Sequence, residues 1–126
     1  MIAAGEVTWT ECRAAATELL AVERSLGAQA FGQWKAALKQ TLCDYFNAQP
    51  TCTGRQGKSI SPVAARVPHG KGLKVRFAYP GCGKRGGLRL AVLAFCARKE
   101  VRIAGAWRRK DDPDPDDFAQ AFQDAE

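Results

Sequence analysis

The sequence predicts an α+β fold: an N-terminal helical hairpin packed on a small antiparallel β-sheet (meander), with a short C-terminal helix. Three observations predict it. Apolar residues recur at helical spacing from about position 8 to 47, they alternate at strand spacing from about 71 to 107, and Asp114-Pro115 opens a last helical run. At 126 residues the length is that of one domain, which buries about two-thirds of its unfolded surface around a single core. The expected division is a helical hairpin over 1–50, a loop over 51–70, a basic β-meander over 71–110 and an acidic C-terminal helix over 111–126.

Each element has its own signal. Thr8 and Glu11 fit a capping box, and Trp9, Cys12, Ala16 and Leu19 follow at helical spacing, so a first helix is expected from about 8 to 25, stopped by Gly27. Phe31, Trp34, Leu38, Leu42, Tyr45 and Phe46 form an apolar stripe that predicts a second helix from about 29 to 47. The two helices are expected to fold back on each other around Ser25-Leu26-Gly27, a pair that cannot bury its apolar faces alone. From Pro50 to Gly70 the pattern dissolves into Gly, Pro, Ser and Thr, with only Val63 to Val67 reading as extended.

Beyond the loop, Leu73, Val75 and Phe77 alternate with Lys74, Arg76 and Ala78, which describes a strand with one apolar and one basic face. Leu88 to Ala97 is nearly all apolar and reads as a central strand buried on both faces. Arg98-Lys99-Glu100 is a turn, and Val101, Ile103, Gly105 and Trp107 alternate with Arg102 in a third strand. Asp114 is placed as an N-cap, Pro115 at the first helical position, and Asp116 and Asp117 at the positive end of the helix dipole. The predicted order is α-α-β-β-β-α.

Charge is distributed in blocks. Residues 51–110 hold fifteen Lys/Arg and one acid, Glu100, whereas residues 111–126 hold seven acids and no base, within a net charge of +6. A surface so dominated by cations attracts polyanions, nucleic acid above all. The five cysteines, Cys12, Cys43, Cys52, Cys82 and Cys96, include no CxxC pair, and His69 is the single histidine, which argues against a zinc site or a disulfide framework. With no signal-peptide core and no long apolar run, the expectation is a reduced, cytoplasmic protein without cofactor, metal or membrane association.

Several chemistries are unsupported. The turn AYPGCGKR meets the relaxed phosphate-loop spacing at Ala78, Gly83 and Lys84, but Arg85 stands where the magnesium-binding Ser or Thr belongs, and a strand rather than a helix follows. Its glycines still let backbone amides approach a phosphate. Paired carboxylates are missing from the basic block, and His69 has no nucleophile motif beside it. What remains is a cluster of cations. Such a cluster can cut RNA without metal, because the ribose 2′-hydroxyl is an internal nucleophile and Lys and Arg stabilise charge developing on the phosphate.

The strings GLKVRFAYPGCGKRGGLRLAV and VRIAGAWRRKDDPDPDDFAQAF resemble the C-terminal half of RelE/HigB-type toxins of bacterial type II toxin-antitoxin modules, the RelE/ParE superfamily. The shared features are a strand with alternating Lys and Arg, a Gly-Lys-Arg-Gly-Gly turn followed by Arg, a hydrophobic strand, and a third strand ending in a basic cluster before a short helix. The resemblance implies a RelE-like fold and a metal-independent endoribonuclease, an mRNA interferase held in check by a cognate antitoxin and acting on mRNA, free or ribosome-bound. Carried over by motif position, Lys74, Arg76, Arg89, Arg108 and Arg109 line the catalytic site. Lys84 and Arg85 hold the RNA backbone, with Lys71, Lys110 and His69 as further RNA contacts. Three departures stand out: the family's strand ahead of the hairpin is not evident in Met1 to Val7, the family's aromatic residue near the last helix has no counterpart because Phe118 cannot act as an acid, and Trp107 takes the place of a common Lys. The alternatives on the same fold are a non-catalytic nucleic-acid-binding or protein-interaction module, and a ParE-like toxin against a protein target.

Overall fold

The computed structural model describes residues 7–48, 60–63, 70–77, 88–95, 99–108 and 113–125. The chain runs β1 (Thr8–Glu11), α1 (Arg13–Leu26), α2 (Ala28–Ala48), β2 (Ile60–Val63), β3 (Lys71–Phe77), β4 (Leu88–Phe95), β5 (Glu100–Arg108) and α3 (Pro115–Asp124). The strands form one mixed five-stranded sheet in the order β1-β5-β4-β3-β2. β2 to β5 are an antiparallel meander, and β1 adds to its β5 edge in parallel. Two helices lie on one face and α3 lies on the other.

The α+β class and all three helices agree with the expectation, and three details differ. Thr8 does not cap a helix. Trp9 and Thr10 are good strand formers, and the open edge of β5 accepts them as β1, with Thr8 opposite Glu100 and Glu11 opposite Ile103. α1 therefore starts at Arg13, behind an N-cap Cys12 whose side chain makes no capping bond. The extended piece of the 51–70 segment is Ile60–Val63 rather than Val63 to Val67; it pairs with β3 and carries Pro62 at the sheet edge, where a missing N–H is tolerated. The sheet is thus mixed and five-stranded, where a small antiparallel meander was expected.

The third difference is a β-bulge. Ala91 pairs with Gly105 but Val92 pairs with Ile103, leaving Ala104 as the extra residue in β5. Val101 and Ile103 face α1 and α2, whereas Trp107 faces α3. The uniform alternation read from Val101 to Trp107 is broken at that point.

The larger core lies between the helix pair and the sheet. Leu73, Val75, Leu88, Leu90, Val92 and Val101 meet Leu19 and Val22 of α1 and the whole Phe31–Phe46 stripe of α2. Gly27 joins the helices at φ 88°, a conformation that suits glycine, and its N–H closes α1 on Glu23 O at 2.8 Å. The smaller core joins Ala91, Leu93, Phe95 and Ala104 to Phe118, Ala121, Phe122 and Ala125. α3 opens with a full capping box: Asp114 accepts from the Asp117 N–H, and the Asp117 side chain accepts from the Asp114 N–H, both at 2.9 Å. All of β4 is buried, as expected of the central strand. Among the described residues, no helix is long and apolar enough to cross a membrane.

Burial sets a pH limit on this core. Tyr45 of α2 is fully buried, and burial raises its phenol above the ordinary value of 10.0. The folded state therefore holds the neutral phenol more tightly than the unfolded chain. The contribution is complete below pH 10.0 and is lost as pH climbs through the folded-state value. Alkaline unfolding, followed by circular dichroism, should set in above that pH, and Tyr45→Phe should move its midpoint upward.

Candidate nucleic-acid interface

The basic face expected of β3 is present. Leu73 and Val75 point into the larger core, so Lys74 and Arg76 emerge on the α3 side of the sheet. Register then decides what stands next to them. Arg76 lies directly opposite Arg89 of β4, and Arg89 lies directly opposite Trp107 of β5. One row across three neighbouring strands is therefore Arg76, Arg89, Trp107. The next row, two residues along, is Lys74, Ala91, Gly105.

Glycine shapes the second row. A Cβ on Gly105 would stand 2.6 Å from Trp107 Cη2, so the indole lies over the bare backbone of its own strand. Phe118 of α3 then packs against Trp107 with ring centres 5.1 Å apart, and Lys74 Nζ sits 5.6 Å from the Phe118 ring centre. The first residues of α3 thus border the cationic row, while Phe122 covers Gly72 farther along.

Exposure grades across the row. Arg76 is exposed and Lys74 half-buried, but Arg89 is only 8% exposed and is the one charged residue in the buried interior among the described residues. Like charges on directly opposed strand positions repel. Among the described residues, Arg76 makes no ion pair that would offset this. Guanidinium forks match phosphate oxygens in pairs, so the exposed Arg76 is suited to take a phosphate.

The remaining expected site residues fall in three groups. Arg108 ends β5 opposite Leu88, a residue of the larger core, so its register position is out of phase with the row and it does not join it. Lys71 starts β3, opposite Ala94, about 17 Å along the strand from Arg76 and in phase with Leu73 and Val75, so it does not join the row. Lys84, Arg85, Arg109, Lys110 and His69 lie outside the described residues, as does the Gly81 to Gly87 turn.

Arg102 was not among the expected functional residues. Its guanidinium donates to the Ala125 carbonyl at the C-terminal end of α3, pairs with Glu100 at 2.8 Å, and lies over the Phe95 ring at 5.0 Å. A cation at that end also favours the helix dipole. The same charge partly offsets the burial that raises the Cys12 thiol above its usual value. Its alternation with Val101 and Ile103 marks it as a residue of the α3 face, but nothing local marks α3 as its partner. No protein family, curated protein or solved structure gives a significant match to the chain.

Proposed function

We propose that the chain is a toxin of the RelE/HigB type, a metal-independent endoribonuclease whose site is built on Arg76, Arg89 and Lys74. The observation that carries this reading is the Arg76–Arg89 pair, side by side on the α3 face with Trp107 completing the row. In this reading a ribose 2′-hydroxyl attacks the adjacent phosphate, the 5′-oxygen leaves, and the products are a 2′,3′-cyclic phosphate and a 5′-hydroxyl. The arginines stabilise the charge that builds on the phosphate oxygens during attack, a contribution that grows where water is excluded, as at Arg89. A strand ahead of the helix pair, β1, supports a RelE-like fold, because the family places one there. The proposed partners are mRNA and an antitoxin whose acidic segment covers the cationic row, and the proposed location is the cytoplasm.

Expression with and without the adjacent open reading frame tests this. Growth arrest without it, accompanied by new RNA ends bearing 2′,3′-cyclic phosphates, is the expected result. Toxicity without such ends would overturn the nuclease and point to a ParE-like protein target.

One observation favours a second reading. No His, Asp or Glu occupies the Arg76–Arg89–Trp107 row, so a general base is not built into it. A binding module on the same scaffold predicts nucleic-acid affinity that falls steeply with salt and leaves the RNA uncut.

A further inference from the structure

On the opposite side of the sheet, between β1 and the helix pair, the structure holds a cavity of about 150 Å³. Its apolar walls are Trp9, Leu19, Trp34, Leu38 and Ile103, and its charged lining is Glu11, Lys35 and Lys39. Those charges do not balance. Lys35 Nζ pairs with Glu11 at 3.1 Å. Lys39 makes no ion pair among the described residues; its Nζ sits 5.6 Å from the Trp9 ring centre. It is also half-buried, so water does not fully solvate its charge.

Three properties define a complementary ligand. A volume near 150 Å³ accepts a single six-membered ring, as engineered apolar cavities of that size accept benzene. Two indoles and three aliphatic side chains select a flat apolar body. An ammonium held over an aromatic face gains more from a carboxylate than from the ring alone.

We propose that this cavity binds a small aromatic carboxylate, with its ring against Trp9 and Trp34 and its carboxylate on Lys39 Nζ. The site is separate from the arginine row and does not depend on what that row does. A ligand with about ten non-hydrogen atoms and one charged contact binds with Kd on the order of 1 mM.

The test is a titration of the whole chain with phenylacetate, followed through the indole N–H resonances of Trp9, Trp34 and Trp107. Saturable shifts at Trp9 and Trp34, with Trp107 unmoved, are expected. Phenylacetamide, which keeps the ring and loses the charge, should bind about tenfold more weakly. Lys39→Met should weaken phenylacetate by the same factor, while Lys39→Arg should retain it. Three results would each overturn the proposal: no saturable shift up to roughly 20 mM, equal affinity for acid and amide, or a response confined to Trp107.

Discussion

Arg89→Ala should leave a folded protein and, on the nuclease reading proposed above, slow RNA cleavage by about a hundredfold or more. Arg89 is 8% exposed, so water would screen its charge little from a phosphate bound beside it, and no other cation among the described residues takes its place in the row. Arg76 is exposed; Arg76→Ala should cost less in rate and instead reduce the salt dependence of RNA binding by about one counterion. Single-turnover cleavage of a defined RNA separates the two effects, with thermal melting to show that each variant is folded. Arg89→Lys keeps the charge but loses the two-pronged geometry, and an intermediate rate is expected. A folded Arg89→Ala protein that cuts RNA at the original rate would remove the arginine row from the mechanism.

Gly72→Val should destabilise the fold by about 1–3 kcal/mol, the range for overfilling a packed site. A Cβ at position 72 would meet Phe122 Cε2 at 2.8 Å, Phe122 Cζ at 2.9 Å and the Val63 carbonyl oxygen at 2.9 Å. The obstacle is therefore a ring of α3 on one side and the backbone of β2 on the other. Movement of α3 is the easier relief, because β2 is held in register by its pairing from Ile60 to Val63. Limited proteolysis should find α3 first. If the helix alone yields, adding Phe122→Leu should restore part of the lost stability. If β2 is displaced as well, the second change will restore nothing, and the melting temperatures distinguish the two.

The long helix was legible because its period is local: every member of the Phe31–Phe46 stripe is buried, and no distant partner changes which residues share a helical face. The capping of α3 was legible for the same reason, since Asp114 and Asp117 satisfy each other within one turn. Thr8 to Glu11 misled because one short string satisfies two rules. Its capping-box spacing favoured a helix, while the choice rested with an edge of β5 about ninety residues away. Lys74 and Arg76 were legible from alternation, whereas Arg89 sits in a strand that reads as apolar on both faces and was marked only by the family resemblance. The adjacency of Arg76 and Arg89 was not legible, because their pairing depends on a register set across a connection whose length does not specify it. The bulge at Ala104, which carries Trp107 to the α3 face, adds a phase change that no alternating pattern announces.

The parallel pairing of β1 with β5 also orders events during synthesis. Thr8 docks beside Glu100, so the first strand to leave the ribosome waits for the last. At roughly 5–20 residues per second the delay is on the order of ten seconds. Throughout it α1 and α2 carry an apolar stripe with no sheet to lie on, since most of the strands they cover follow residue 70. A nascent chain of this topology spends that interval as a substrate for chaperones and proteases. Slower translation through the 70–108 region lengthens that exposed interval.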